Sequence, residues 1–397
     1  MNPSTSLRCS LALGTLVLLS ACGGGGSSAP PVDPPPPPPP PPQVGQLLDV
    51  QPLGDISRRD IADAIADSDR IPTSLAPRYG VTTYRLSYLT QDKDGALVRA
   101  SGLVALPVRP AGATPSAVLS YQHATTFENA YAPSVNLAPA EPPLVLASLG
   151  YIVVASDYVG FADSQGLDHP YLQADATARA VLDMLTAAQR WRSDTGVPDN
   201  GQLYLVGYSE GGYATMAAQR EIERAQLPWR SQLRASIPGA GPYDMQALMD
   251  AQLARVRDEN PVIGWMLNPG TLSKLGATVR AEVRRLLLRL LIPKEADVNY
   301  DARFLDDYLA DDQEALYERS SVHWGWTPST PVHLFHGRDD STVPFVTSES
   351  AYDTLRAREG AARVTLRECV DTQPSEHTAC VPEYFGYVLQ VIEKNAP

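Results

Sequence analysis

Residues 203–217 read LYLVGYSEGGYATMA, and the order of events in that stretch decides the fold. Leu203 to Val206 are apolar without alternation. That pattern predicts a strand buried on both faces, as in a parallel sheet covered by helices. Gly207-Tyr208-Ser209-Glu210-Gly211 follows, a GxSxG, then Gly212 and the helix-compatible YATMAAQREIE. Strand, sharp turn and helix form the setting in which GxSxG presents a serine nucleophile. The glycines let the turn form and the helix pass close to neighbouring strands. Ser209 is predicted at the tip, its hydroxyl exposed above the helix N-terminus. A chance match is the competing reading, but it leaves the flanking strand and helix unexplained.

Outward from this turn, strands and helices alternate. Val81–Val108 predicts two strands around a turn at Asp92–Gly95, and Ser116–His123, Tyr151–Asp157, Ser329–Asp340 and Ala362–Cys369 predict four more. A further strand begins at Leu233. Helical spacing marks Pro142–Gly150, Leu172–Trp191, the stretch from the elbow to about Gln226, Thr347–Glu359 and the last segment, PEYFGYVLQVIEK. Such alternation is the signature of an α/β fold, a mostly parallel sheet with helices on both faces. Residues 46–78 read as an N-terminal helical arm. Between Gly241 and Thr330 the alternation stops. Residues 243–328 read as an inserted helical cap over the sheet's C-terminal edge, without a convincing strand. Within it, Thr278–Ile292 sets Val279, Val283, Leu286, Leu287, Leu290 and Leu291 on one face with arginines elsewhere. Packing onto the core and a lipid-contacting lid both fit that helix.

The N-terminus reads separately. Residues 1–21 carry one positive charge, Arg8, and an apolar run from Leu11 to Leu19, too short for a membrane span, so they predict a secretory signal. Leu19-Ser20-Ala21-Cys22 resembles a bacterial lipobox, in which the cut falls before a cysteine that carries lipid; Gly23 after it implies routing to the outer membrane. Residues 22–45 then read as a lipid-anchored tether, Gly/Ser-rich and then proline-rich, with nine consecutive prolines at Pro34–Pro42. At about 3.1 Å per proline this rod spans roughly 28 Å. The fold proper is expected over residues 46–397. The net charge of −13 and the lack of a basic cluster exclude a nucleic-acid partner and disfavour anionic substrates. Of four cysteines, Cys9 leaves with the signal and Cys22 is the lipidation site; Cys369 and Cys380 remain and predict one disulfide in an exported protein.

A serine hydroxyl needs a base in reach and a carboxylate that fixes the base's tautomer. In folds with this elbow the chain order is Ser, then Asp or Glu, then His. Among His123, His169, His323, His333, His336 and His377, His377 alone follows the strand that ends in an acidic pair. It lies in the loop CVDTQPSEHTAC between the last strand and last helix. HGRDDSTVP offers two acids, and the GxxDxxVP register selects Asp340 over Asp339, which reads as a solvated turn residue. Backbone donors are needed for the oxyanion. Glu210, after the nucleophile, supplies one; the loop after Ser116–His123 supplies the other, from Thr125 or alternatively Thr126. His123 and Asp157 read as structural. The cysteine pair brackets His377 and would limit its motion. HExxH, paired His/Cys spacing and a phosphate-binding glycine loop are all missing from the sequence, so neither metal nor cofactor is expected.

The segments SYQHATT, GYIVVASDYVGF, LVGYSEGGYATMAA, FHGRDDSTVP and SEHTAC, in this order, make the chain resemble the α/β-hydrolases and, more closely, the secretory lipase family of the fungal lipase A type. The resemblance runs from about Ser116 to the C-terminus and leaves the cap unmatched. It implies a carboxylic-ester or triacylglycerol hydrolase with Ser209, Asp340 and His377 as triad and a cap carrying the acyl site. The chain departs from the family at Glu210, where a small residue is common, and at Thr125 and Thr126, where an acidic residue is common. The sequence thus predicts an exported, lipid-anchored esterase or lipase acting on a small-molecule or lipid ester. A serine peptidase of the prolyl oligopeptidase type would carry an N-terminal propeller or a charged terminus pocket, and neither is visible. A non-catalytic surface binding protein is opposed by the intact Ser, Asp, His order.

Overall fold

The absence of alternation at residues 203–206 has a direct structural cause: both faces of that strand are covered. Leu203 and Leu205 pack with Ala214, Ala218 and the helix at 174–195 on one side. Tyr204 and Val206 pack with Tyr384, Val388 and Leu144 on the other. The computed structural model describes residues 41–395 apart from 69, 260–273, 275, 359 and 360. The expected signal at residues 1–21, Cys22 and the tether through residue 40 lie outside the described residues.

The strands are β1 (Leu47–Ile56), β2 (Val81–Gln91), β3 (Leu97–Pro107), β4 (Ser116–Gln122), β5 (Ile152–Ser156), β6 (Asp168–His169), β7 (Asp199–Tyr208), β8 (Leu233–Gly239), β9 (Asn299–Tyr300), β10 (Val332–His336) and β11 (Val364–Glu368). Nine form one sheet in the order β1-β2-β3-β5-β4-β7-β8-β10-β11. The first three are antiparallel, β3 is antiparallel to β5, and from β5 onward every pairing is parallel. Helices α1 (Arg58–Ala66), α2 (Pro142–Ser148), α3 (Ala174–Thr195), α4 (Glu210–Arg224) and the C-terminal helix Val381–Lys394 cover the faces. The alanine-rich α3 ends at Gly196, which takes the left-handed conformation (φ 70°) that closes a helix without a Cβ clash.

Two expectations need correction. Residues 47–56 are an edge strand, not part of a helical arm; only Arg58–Ala66 is helical, capped by Ser57. Most of β1 is solvent-exposed, so no apolar period records its pairing with β2. The segment between β8 and β10 is not purely helical either. It holds α5 (Met245–Glu259) and helices Ala277–Leu291, Arg303–Leu309 and Gln313–Ser320, but also β9, whose two residues pair in parallel with β6. A two-residue strand is too short to leave a period in sequence. The helix Ala277–Leu291 splits its apolar face: Val283 is buried against Leu309, and Leu287 packs with them, while Val279 and Leu286 are exposed.

Candidate active site

Ser209 sits between β7 and α4 with φ 59° and ψ −124°, a conformation L residues resist. The fold holds it there from three sides. Ser209 N–H donates to the Gly239 carbonyl of β8 at 2.9 Å. The Tyr384 hydroxyl accepts from Gly207 N–H at 2.8 Å and donates to the Ile237 carbonyl at 2.6 Å, tying β7 to β8 from beneath. The start of α4 runs so close to its neighbours that a Cβ at Gly211 would lie 2.1 Å from the Gln122 carbonyl oxygen, and one at Gly212 2.3 Å from that of Gly239. Those contacts are why the two positions are glycine.

His377 Nε2 lies 2.9 Å from Ser209 Oγ, and His377 Nδ1 lies 2.5 Å from Asp340 Oδ2. The Asp340 side chain is fully enclosed. Its Oδ1 accepts the N–H groups of Thr342 and Val343 at 2.9 and 2.8 Å. Its Oδ2 also faces His336 Nε2 at 3.1 Å. That nitrogen lies 2.8 Å from the Val343 carbonyl, which only accepts, so Nε2 carries a hydrogen. Burial alone would push the Asp340 carboxyl up; the hydrogen bonds from His336 and His377 outweigh it and bring it down to about 2. The acid is therefore a carboxylate at neutral pH.

The loop carrying His377 is pinned at several points. Cys369 and Cys380 are joined in a disulfide that brackets it. The Tyr208 hydroxyl donates to the His377 carbonyl at 2.7 Å. Asp339 is exposed, as expected of a turn residue, and also accepts from both Ser375 N–H (2.8 Å) and Ser375 Oγ (2.9 Å). Gly337 lets the β10 loop approach so closely that a Cβ would fall 2.0 Å from the Ser375 carbonyl oxygen.

Glu210 opens α4, and its backbone N–H meets no hydrogen-bond acceptor among the described residues. Its side chain is buried and lies 2.7 Å from His169 Nε2. Thr125 is half-buried with its hydroxyl 3.2 Å from that of Tyr171. The Thr126 hydroxyl donates to the Glu128 carbonyl at 3.4 Å, and its own carbonyl accepts from Tyr300. His123 holds backbone: its ring nitrogens face the carbonyls of Ala124 and Asp157. Asp157 accepts from Ser101 of β3, and from Ser134 through both hydroxyl and N–H, tying the loops at Asp157 and Ser134 to that strand.

Residues 124–224, from the loop after β4 through α4, match the family model for secretory lipases. The chain is similar to a candidate hydrolase of Legionella pneumophila (26% identity over 88% of this chain and 98% of that one, TM-score 0.68). It is similar to the rice cell wall degrading esterase LipA of Xanthomonas oryzae in its ligand-bound form (25%, 89% and 97%, TM-score 0.63). Candida antarctica lipase A shares the fold (20%, 89% and 83%, TM-score 0.55). The chain has the α/β-hydrolase fold and is similar to the secretory lipases. No curated protein matches the sequence. Ester hydrolysis is the chemistry this family match brings to the site.

Within this fold, Ser209, Asp340 and His377 come together from three loops far apart in sequence. Sequence reasoning missed His169, His336 and Tyr300. His336 lies in the HGRDDSTVP segment, where the register marked only the acid; His169 and Tyr300 belong to no motif and reach the site because β6 and β9 bring them there. Among the described residues no cluster of His, Cys, Asp and Glu suits a metal ion.

Proposed function

We propose that the chain is a serine-dependent carboxylic ester hydrolase working through Ser209, His377 and Asp340 and a covalent acyl-enzyme. One observation carries the reading: the continuous path from Ser209 Oγ to His377 Nε2 (2.9 Å) and from His377 Nδ1 to Asp340 (2.5 Å). Asp340, as a carboxylate, holds the hydrogen on Nδ1. Nε2 is then free to accept the Ser209 proton as Oγ attacks the ester carbonyl carbon. The carbonyl oxygen gains negative charge and is held by the N–H groups of Glu210 and Thr125. His377 returns the proton to the departing alcohol, leaving Ser209 acylated. Water then loses a proton to His377, attacks the acyl carbon, and Ser209 recovers its proton as the acid leaves.

Residues 243–328 act as the cap that bounds the acyl site. In this reading the protein is exported, cleaved before Cys22 and held on the outer membrane by lipid, with the 22–45 stretch as spacer. The family's secretory character and the residue 19–22 pattern support this. Among the described residues, no helix is long and apolar enough to cross a membrane.

Hydrolysis of p-nitrophenyl butyrate by the wild type, Ser209→Ala and His377→Ala is the direct test. Both variants are expected to lose about 10⁴-fold or more in kcat. Wild-type rates in Ser209→Ala would sink the proposal. A series of p-nitrophenyl esters of rising chain length then separates esterase from lipase.

A further inference from the structure

The two segments assigned above as sources of oxyanion donors are the loop after β4 and the first residue of α4. Both are tied to one short stretch of the inserted segment, residues 297–301. On the loop side, the Tyr300 hydroxyl donates to the Thr126 carbonyl. Asp297 N–H donates to the Phe127 carbonyl at 3.1 Å, and Asn129 N–H donates to Asp297 Oδ1 at 2.7 Å. The Phe127 ring lies against that of Tyr300, centroids 5.5 Å apart.

On the helix side, the link runs through Glu210 and His169. β6 pairs with β9 in the register Asp168–Asn299 and His169–Tyr300. Asp301 N–H donates to the His169 carbonyl at 2.8 Å, and the Tyr300 ring stands edge-on to the His169 ring at 5.2 Å. His169 in turn grips the Glu210 carboxyl at 2.7 Å. His169 Nδ1 faces the Val159 carbonyl at 2.9 Å and so carries a hydrogen. A second hydrogen lies between Nε2 and the carboxyl oxygen. The buried pair is then neutral as a whole, and no net negative charge from Glu210 opposes the charge that builds on the substrate oxygen.

We propose that Tyr300 is a positioning residue, and that residues 297–301 brace the loop carrying Thr125 and the Glu210 end of α4 at a fixed separation. The inference rests on the reading of Ser209 as nucleophile with Glu210 and Thr125 as donors. Two N–H groups on separate chain segments converge on one oxygen only if their spacing is held before reaction. The β4 loop has no regular structure between His123 and Asn129 to hold it; Tyr171 meets the Thr125 hydroxyl, and residues 297–301 hold Thr126, Phe127 and Asn129. The same stretch thus gives the inserted segment a positioning role beside that of a cap.

Tyr300→Phe removes the hydroxyl bond to Thr126 and keeps the ring contacts with Phe127 and His169. Removing an oxyanion donor outright costs about 100–1000-fold in kcat. Loosening one that is still present is expected to cost about 10-fold, with KM held within about twofold. The assay uses p-nitrophenyl butyrate, together with inhibition by an alkyl trifluoromethyl ketone, whose serine adduct carries a negative oxygen. Ketone affinity is expected to fall by the same factor as kcat, with the melting temperature close to wild type. Asp297→Asn, which weakens the bond from Asn129, moves both quantities in the same direction and serves if Tyr300→Phe does not fold. Wild-type kcat and ketone affinity in both variants overturn the inference. So does a loss confined to KM or melting temperature, which is what mere packing would give. An inactive wild type that also ignores the ketone sinks the nucleophile reading itself, a result distinct from any difference between wild type and Tyr300→Phe.

Discussion

Asp340→Asn is the sharpest perturbation of the triad because every acceptor position of this carboxylate is taken by a donor. Oδ1 receives two backbone N–H groups; Oδ2 faces His377 Nδ1 and His336 Nε2. An asparagine has one oxygen and one NH₂, so its NH₂ must oppose two donors. If it faces the histidines, His377 meets it by moving its hydrogen from Nδ1 to Nε2. Nε2 then has no lone pair for the Ser209 proton, and kcat is expected to fall about 10⁴-fold. Stability falls as well. The Asp340 carboxyl lies at about 2 against an ordinary 3.8, a difference worth roughly 2 kcal/mol. The pKa is depressed on folding, so this stabilisation is fully present above about pH 4 and is lost as the pH falls toward about 2. Asp340→Asn should therefore be destabilised by roughly 2 kcal/mol in urea at neutral pH and by much less near pH 2. Asp339→Asn is the control: its oxygen still accepts from Ser375, and kcat should stay within about threefold of wild type. Should Asp340→Asn keep a tenth of wild-type kcat, or Asp339→Asn lose as much as Asp340→Asn, the assignment of the acid is wrong.

Other consequences concern the elbow and the histidine loop. Ser209 holds a positive φ that costs on the order of 1–3 kcal/mol for a residue with a Cβ. Ser209→Gly should therefore be more stable than Ser209→Ala by about 1 kcal/mol after the extra chain entropy of glycine is subtracted; equal urea midpoints would argue against strain at the elbow. The Cys369–Cys380 bridge closes a loop with a sequence separation of 11. Replacing both cysteines by serine should cost about 3 kcal/mol in unfolding free energy and lower kcat more than it raises KM, since the loop carries the base rather than the acyl site. An unchanged kcat would show that the bridge serves stability alone.

The buried elements of the fold were legible because burial on both faces writes unbroken apolar runs, as in Leu203–Val206 and Ile152–Ala155. The grouping of Ser209, Asp340 and His377 was legible because the elbow fixes the chain order expected of its partners and because the GxxDxxVP register and a single histidine after it leave little choice. What escaped the sequence left no periodic mark. β1 is an exposed edge, and β9 is two residues long. The partner of Glu210 could not be read at all: His169 lies 41 residues away in the two-residue strand β6, and only the pairing of β6 with β9 brings it to the elbow. The carboxylate there, unexplained by motif logic, turns out to be one half of a neutral buried pair. Asp339 escaped for the opposite reason. It is exposed, as a turn residue should be, yet it is bonded twice to Ser375 in the loop that carries His377.

Reaction with a fluorophosphonate, read by intact mass and peptide mapping, tests the central claim most directly. The reagent phosphonylates only a serine whose hydroxyl is activated by a base and whose adduct is held by oxyanion donors. The account predicts one adduct per folded chain, on Ser209, absent in Ser209→Ala and strongly slowed in His377→Ala. An unlabelled wild type, or a label on any residue other than Ser209, would contradict it.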